Sequence, residues 1–381
     1  MTRWLVAPQE FKGTLTATEA AAALADGLRQ GAPGVELDVA PLADGGPGTV
    51  DALLAGVGGE RVTRTVTGPL GQPVRATYGL LDAGNTAVIE MAAASGLSLL
   101  APDARDARRA STHGTGELIR DALERGCRRI ILGLGGSATT DGGTGALSAL
   151  GWRFLDAQGA PLPPGGAALK RLARVESGSR HPGLDSVEFQ VATDVTAPLL
   201  GPNGAAHLFG PQKGADAAAV DELEAALAHF AGRLDSGLAQ TPGAGAAGGF
   251  GYGLVALTRG RLISGYALVA RTLRLAERLT SVEAVLTGEG RFDRQTALGK
   301  GPGALAKEAH ALGKHTVMFA GRVAPDAESE GSPFDEVVEV STRAPSGLPP
   351  AEALRHAAGE WASAPQGDNP RRRSAHVQRQ T

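Results

Sequence analysis

A strand-helix-strand pattern at each end of the chain constrains the fold more than any other feature of this sequence. Apolar residues form short runs or alternate in two segments near the N-terminus and in three near the C-terminus, with helically spaced apolar residues between them. The predicted strands are residues 4–7, 35–39, 282–286, 315–320 and 336–340, and the predicted helices are residues 17–28, 50–54, 303–312 and 351–361. Strands that alternate with helices indicate a parallel sheet, so we expect an α/β fold with one five-stranded, doubly wound sheet of order 2-1-3-4-5.

The long segment between these two patterns has a different texture. Residues 62–66, 74–81 and 86–91 predict strands joined by short turns, which favours antiparallel pairing, and further strands and helices follow them. We therefore predict a discontinuous first domain, a second α/β domain with a mixed sheet inserted into it, and a disordered, solvated tail. The predicted boundaries are residues 1–60 plus 281–365 for the first domain, 61–280 for the inserted domain and 366–381 for the tail.

Charge and cysteine content exclude several classes of partner. The 381 residues carry 37 Lys and Arg against 40 Asp and Glu, so the chain has no overall basic field that would attract nucleic acid. Cys127 is the only cysteine, which excludes an internal disulfide and a cysteine-based metal site. Because no apolar run is long enough for a signal peptide or a membrane span, we predict a cytoplasmic protein that binds neither membranes nor nucleic acid.

Lysine is rare in this chain, and half of its lysines are followed directly by glycine in turn-like loops. Only six of the 37 basic residues are lysine. Lys12, Lys213 and Lys300 are each followed by glycine, which lets the backbone approach a ligand while the ammonium group meets a phosphate. These three lysines are therefore candidate phosphate-binding residues.

A glycine cluster directly after a predicted buried strand allows two interpretations. In the first, successive backbone N–H groups and the hydroxyls of Ser137, Thr139 and Thr140 cradle phosphate oxygens. In the second, residues 133–138 form a dinucleotide-binding fingerprint, with Asp156 on the ribose. The residue pattern leaves both interpretations open.

Carboxylates recur in turns that contain glycine or follow strands. The candidates are Asp44, Asp141, Asp194, Glu289 and Asp293. Phosphoryl transfer needs carboxylates that bind Mg²⁺ or accept a proton, together with cations that neutralise the phosphate. In a sheet of order 2-1-3-4-5, the loop with Lys12 and the loop with Glu289 flank the point where the strand order reverses, which is where ligands bind in such folds. The chain lacks the P-loop, the protein-kinase motifs and the nucleophile elbow of hydrolases.

Seven short blocks between residues 7 and 291 resemble a known family in their order and spacing, and the resemblance covers about residues 3–362. They are residues 7–15 (APQEFKGTL), 41–49 (PLADGGPGT), 135–143 (GGSATTDGG), 201–205 (GPNGA), 210–215 (GPQKGA), 243–249 (GAGAAGG) and 287–291 (TGEGR). The chain resembles the bacterial glycerate kinase type-1 family, which implies a flavodoxin-like domain interrupted by an inserted α/β domain. The resemblance also implies ATP-dependent phosphorylation of D-glycerate, typically at the 2-hydroxyl. The chain departs from the family pattern at Gln9, Glu10, Pro47 and Thr140.

Taken with this resemblance, the candidate residues predict in-line transfer of the γ-phosphoryl group from MgATP to a glycerate hydroxyl. The predicted catalytic residues are Asp194, Asp44, Lys12 and Lys300, with Asp194 or Asp44 as the proton acceptor. The predicted nucleotide-binding residues are Gly135, Gly136, Ser137, Thr139 and Lys213, and the predicted metal ligands are Glu289, Asp293 and Asp141.

Two alternatives of other classes stay open at this point. One is an NAD(P)-dependent oxidoreductase that uses residues 133–138, and the other is a sensor that binds a sugar acid without turnover. The residue pattern also does not decide between 2- and 3-phosphoglycerate as product, or between a monomer and a homodimer.

Overall fold

The computed structural model describes residues 2–297, 301–325, 327 and 332–364. Contacts between residues divide the chain into two compact units. Statements about either unit concern only its described residues. The first unit comprises Met1–Ala43, Asp51–Val57 and Val269–Thr381, and the second comprises Asp44–Val50 and Gly58–Leu268. The predicted domain boundaries at residues 60 and 280 stay predictions, and the predicted tail at 366–381 lies outside the described residues.

The elements are numbered in chain order. The strands are β1 (Arg3–Val6), β2 (Glu36–Val39), β3 (Glu60–Thr67), β4 (Pro73–Leu81), β5 (Thr86–Glu90), β6 (Arg129–Gly133), β7 (Arg153–Leu155), β8 (Arg174–Glu176), β9 (Glu188–Ala192), β10 (Arg261–Ile263), β11 (Ala284–Phe292), β12 (His315–Val323) and β13 (Glu336–Glu339). The α-helices are α1 (Ala17–Gly31), α2 (Thr49–Val57), α3 (Ala92–Ser95), α4 (His113–Glu124), α5 (Thr144–Ala149), α6 (Ala205–Phe209), α7 (Ala217–Arg233), α8 (Ala246–Leu257), α9 (Gly265–Thr272), α10 (Leu275–Thr280), α11 (Arg294–Ala297), α12 (Pro302–Ala311), α13 (Val340–Arg343) and α14 (Pro350–Ser363).

The first unit contains a five-stranded sheet of order β13-β12-β11-β1-β2, in which all neighbouring strands are parallel. This is the order 2-1-3-4-5 that the sequence predicts, so the doubly wound sheet is confirmed. Residues 4–6 of β1 and 284–288 of β11 are buried, as expected for central strands of a parallel sheet whose faces are covered by helices. Helix α1 is capped by Thr16, whose side chain and that of Glu19 form the reciprocal capping box. The Trp4 and Trp361 rings pack edge to face at a centroid distance of 5.6 Å in the core between the sheet and α14.

The second unit contains a six-stranded mixed sheet of order β10-β9-β6-β5-β4-β3. Strands β3, β4 and β5 pair antiparallel as predicted, whereas β5, β6, β9 and β10 are parallel neighbours. Parallel strands end at the same edge of a sheet, so the residues that follow β5, β6, β9 and β10 are brought to one side of this unit. In the described part of the chain, no helix is long and apolar enough to cross a membrane.

Candidate active site

The loop after β1 and the carboxyl end of β11 lie against each other in the first unit, as the sheet order predicts. The backbone N–H of Gln9 donates to the carbonyl of Gly288 at 2.8 Å. A Cβ atom on Gly290 would lie 3.1 Å from the backbone nitrogen of Lys12, so the two backbones are in close contact. Phe11 is buried and anchors the loop, while Lys12 is exposed. The loop therefore presents the Lys12 ammonium group beside the end of β11.

Glu289, at the end of β11, has a carboxylate oxygen that the surrounding protein leaves unsatisfied. Its Oε1 atom is buried and has no hydrogen-bond partner among the described residues. Burial raises the pKa of Glu289 to about 7, and the negative charge of Asp293 adds to the effect. A hydrogen bond from Thr296 and the positive charge of Lys12 oppose this rise. A half-buried carboxylate with a free oxygen and a second carboxylate nearby is suited to bind a cation.

Lys300 was predicted to be catalytic, but residues 298–300 lie outside the described residues. The chain is described again from Gly301, where an added Cβ would lie 2.2 Å from the side-chain oxygen of Gln9. The residue after Lys300 is thus next to the loop that follows β1. The predicted role of Lys300 stays a prediction.

Asp44 and Asp194, the two candidate proton acceptors, both contact the start of α9 in the second unit. Oδ1 of Asp194 accepts hydrogen bonds from Ser264 Oγ at 2.8 Å and from the N–H of Gly265 at 2.9 Å, and Oδ2 accepts from the N–H of Tyr266 at 3.3 Å. The exposed Asp194 carboxylate therefore caps the start of α9. A Cβ on Gly265 would lie only 1.8 Å from the carbonyl oxygen of Asp44. The start of α9 consequently touches the Asp194 side chain and the Asp44 backbone.

The segment around Asp44 forms a tight turn that leads into α2. Asp44 Oδ1 accepts from the N–H of Gly46 at 3.0 Å, which is an Asx-type turn. Glu90, the last residue of β5, accepts from the N–H of Val50 at 2.7 Å in the first turn of α2. The sequence pattern did not indicate Glu90, Ser264 or Gly265 as site residues. An acidic residue at the end of a predicted strand was the available signal for Glu90, whereas the other two follow a three-residue strand that has no clear pattern.

The glycine turn after β6 (residues 135–137) packs against the turn at residues 44–46, which is called the Asp44 turn below. The N–H of Gly135 donates to the carbonyl of Gly45 at 3.2 Å, and a Cβ on Gly133 would lie 2.3 Å from the same carbonyl oxygen. Gly135 is half-buried, Gly136 is exposed, and Ser137 is 9% exposed. A ligand can therefore reach the glycine turn at Gly135 and Gly136, next to the segment that carries one candidate proton acceptor.

Asp141, a predicted metal ligand, lies in the interior of the second unit. Its Oδ2 atom accepts from the N–H and the hydroxyl of Thr112 at 2.8 and 2.9 Å and from the N–H of Gly145 at 3.2 Å, and its Oδ1 atom accepts from the N–H of Gly143 at 3.1 Å. Burial raises the pKa of Asp141, and these hydrogen bonds oppose the rise. The carboxylate thus joins the starts of α4 and α5, an arrangement that favours a structural role over metal binding.

Two predicted nucleotide-binding residues are also internal. Thr139 is fully buried, and Lys213 is 1% exposed. The Lys213 ammonium group donates to the carbonyl oxygen of Thr139 at 2.6 Å. Burial lowers the pKa of Lys213 to about 7, while the charge of Asp141 opposes this effect. Neither side chain can contact a phosphate at the surface in this conformation, so the geometry disfavours direct contact for both.

The position of Asp156 disfavours the dinucleotide-binding interpretation. Among the described residues, β7 pairs with β8 in a separate two-stranded sheet and not with any strand of the larger sheet. Asp156 follows β7, and its Oδ1 atom accepts from the N–H groups of Gln158 and Ala160 at 3.0 and 2.9 Å within a surface turn. A ribose-binding carboxylate would follow a strand beside β6. Asp156 does not occupy that position.

Within the described ranges, no group of three or more His, Cys, Asp or Glu side chains is arranged to hold a metal ion. Glu289 and Asp293 belong to the first unit, whereas Asp141 belongs to the second. The structure therefore does not group the three predicted metal ligands within one unit.

Comparison with known proteins identifies the family. The sequence profile described as the Glycerate kinase family matches residues 4–363. This chain belongs to the glycerate kinase family. It is 42% identical over 359 residues to a glycerate kinase of Bacillus subtilis, covering 93% of each chain. It is 43% identical over 326 residues to the glycerate 2-kinase of Escherichia coli, covering 84% of this chain and 86% of that protein.

A solved structure agrees with this identification. The crystal structure of a Salmonella typhimurium LT2 protein, provisionally assigned as glycerate kinase 2, matches with a TM-score of 0.83 and 38% identity, covering 99% of this chain and 98% of that one. The resemblance predicted from the seven sequence blocks is confirmed, and so is the α/β fold class. Family membership supports a kinase, and no comparison supports an oxidoreductase or a sensor.

Proposed function

We propose that this protein transfers the γ-phosphoryl group of ATP to D-glycerate and that the product is 2-phosphoglycerate. The observation that carries the proposal is the meeting of the glycine turn, the Asp44 turn and Asp194 at one edge of the mixed sheet, in a chain of the glycerate kinase family. The name of the Escherichia coli relative, glycerate 2-kinase, supports the 2-phosphate as product.

The reaction requires one proton acceptor. The oxygen of the glycerate 2-hydroxyl attacks the γ-phosphorus, the bond from that phosphorus to the bridging oxygen breaks, and ADP leaves with the electron pair. The hydroxyl proton passes to a carboxylate, for which Asp194 and Asp44 are the candidates. The three donors on Asp194 hold its carboxylate in one orientation, which favours a defined path for the proton.

The accessible part of the glycine turn is suited to hold the nucleotide phosphates. Gly135, Gly136 and Ser137 lie at the end of a parallel strand. The Gly135 N–H donates to the Gly45 carbonyl, so the N–H groups of Gly136 and Ser137 and the Ser137 hydroxyl are the donors that would meet phosphate oxygens. Lys12 and Lys300 would neutralise negative charge on the phosphate or on the substrate carboxylate. We assign Thr139 and Asp141 to the support of this turn from the interior.

The first unit has a carboxylate pair that fits Mg²⁺. This ion is usually held by one or two carboxylates together with phosphate oxygens, so two protein ligands suffice. Glu289 and Asp293 would hold it, since Glu289 Oε1 is buried without a partner in the described part of the chain. When bound, the ion would neutralise charge on the phosphates.

The proposal is tested by measuring ADP release from MgATP with and without D-glycerate, coupled in parallel to enolase, which accepts the 2-phosphate. We expect glycerate-dependent ADP release with an enolase signal. ADP release without that signal would indicate the 3-phosphate. No stimulation by glycerate in a folded sample would contradict the kinase and leave the sensor as the remaining candidate for glycerate binding.

The cytoplasmic location stays a prediction, and the oligomeric state stays open.

A further inference from the structure

Lys213 is a fully buried cation whose role the proposed reaction does not use. It ends the 3₁₀ turn Pro211–Lys213, and 1% of its surface is exposed. Taking an ammonium group out of water is costly unless its interactions compensate, and an apolar side chain of similar volume is often as stable at such a position or more so. The charge of the buried Asp141 offsets part of this cost, so Lys213 is held by its interactions with residues 139–141.

The contact that Lys213 makes is specific. Its ammonium group donates to the carbonyl oxygen of Thr139 at 2.6 Å. Thr139 lies three residues after Gly136, the exposed residue of the glycine turn. The hydroxyls of Thr139 and Thr140 are buried without hydrogen-bond partners among the residues that the structure describes. The two threonine hydroxyls therefore do not hold the backbone at residues 139 and 140, where Lys213 supplies a side-chain hydrogen bond. On the other side, the turn is held by backbone hydrogen bonds from Leu97 N–H to the Gly136 carbonyl at 2.8 Å and from Ala138 N–H to the Ser95 carbonyl at 3.0 Å.

The same segment is held from another direction by close backbone packing. Gly248, in the irregular start of α8, has a φ of 64°, and a Cβ there would lie 2.2 Å from the Thr139 carbonyl oxygen. The N–H of Gly142 donates to the carbonyl of Gly248 at 3.0 Å. Together with the hydrogen bonds of Asp141, these contacts fix the chain on the interior side of the glycine turn.

From this arrangement we infer that Lys213 is a positioning residue, which acts through the Thr139 carbonyl to set the shape of the glycine turn at residues 135–137 and thereby the affinity for nucleotide. The inference rests on the proposed function, since it takes the glycine turn to be the site of the nucleotide phosphates. Lys213 itself does not touch the nucleotide. Its substitution should accordingly change the KM for ATP far more than the KM for glycerate.

The test compares Lys213→Met with Lys170→Met. Methionine keeps much of the volume of lysine and removes the donor and the charge. Lys170 is a matched control because its exposed ammonium group pairs with Glu222 on the surface of the same unit. We expect Lys213→Met to raise the KM for ATP and the dissociation constant of ADP by about tenfold or more, with the KM for glycerate within about twofold of wild type. Lys170→Met should leave all three constants unchanged.

A second variant separates an effect of Lys213 on the glycine turn from an effect on the second unit as a whole. Lys213→Gln keeps an N–H donor on a shorter side chain, so its KM for ATP should lie between those of wild type and Lys213→Met. A Lys213→Met enzyme with an unchanged KM for ATP would overturn the inference. So would a parallel rise in both KM values, or failure of both Lys213 variants to fold, because each result would mean that the residue serves the unit as a whole. Wild-type protein without glycerate-dependent turnover would instead contradict the proposed function, and that result is distinguishable because it precedes any substitution.

Discussion

The two units present their carboxylates in opposite ways. In the second unit, Asp141 and Asp194 accept hydrogen bonds on both oxygens, mainly from the starts of helices. In the first unit, Glu289 keeps one buried oxygen without a partner among the described residues. The buried Asp141 carboxylate fixes the backbone around it, and the exposed Asp194 carboxylate caps α9 while it stays accessible to a ligand. The unsatisfied oxygen of Glu289 favours a ligand that completes its hydrogen bonding. This contrast supports the proposal that Glu289 and Asp293 hold a cation, whereas Asp141 positions the backbone of the second unit.

The largest expected effect is on the proton acceptor. Asp194→Asn removes the negative charge and places an amide N–H₂ group where an oxygen accepted a hydrogen bond. If Asp194 is the base, kcat should fall by about a hundredfold or more, and Asp44→Asn should have that effect if Asp44 is the base instead. Steady-state kinetics with saturating ATP and glycerate measure it. Asp156→Asn, which removes a charge from a surface turn of the same unit, is the control. Near-normal kcat in both Asp194→Asn and Asp44→Asn would remove both residues from the role.

The next effect concerns the close approach of α9 to the Asp44 turn. Gly265→Ala would place a Cβ 1.8 Å from the Asp44 carbonyl oxygen, so one of the two backbones must move. We expect kcat/KM to fall by about tenfold and the free energy of unfolding to fall by about 1–3 kcal/mol. Enzyme kinetics and chemical denaturation measure the two quantities.

Gly232→Ala is the matched control for that substitution. Gly232 lies within α7, and a Cβ there meets no atom within 4 Å. Alanine should raise the free energy of unfolding by about 0.5–1 kcal/mol without changing kcat. If Gly265→Ala were equally harmless, the described packing at the Asp44 turn would be wrong.

A smaller effect is expected on the pH dependence of stability, measured without divalent cations. Glu289 has a pKa of about 7 in the folded protein against 4.5 for the free side chain. The folded protein therefore keeps a proton that the unfolded chain releases, and stability falls as the pH rises from about 4.5 to about 7. The loss is at most about 3 kcal/mol. Glu289→Gln should remove this slope in denaturation experiments at several pH values, and an unchanged slope would assign it to other groups.

The five-stranded sheet was predictable because its strands are short apolar segments that alternate with amphipathic helices. The positions of Lys12 and Glu289 followed from the strand order alone. The interior location of Lys213 and Asp141 was not predictable, because a lysine or aspartate beside glycine looks the same in a sequence whether the loop is exposed or covered. The loop that carries Asp141 is covered by a distant segment, α8, whose glycines pack against residues 139–142. Burial of this kind depends on long-range contacts that a local pattern does not contain.

Hydrogen exchange of wild-type protein, measured by mass spectrometry with and without saturating ADP and Mg²⁺, tests the central claim most directly. The claim is that the nucleotide phosphates bind at the glycine turn of the second unit. We predict slower exchange in peptides that cover residues 133–138 and no change in those that cover residues 156–160. Unchanged exchange at residues 133–138 in protein shown to be saturated with nucleotide would contradict it.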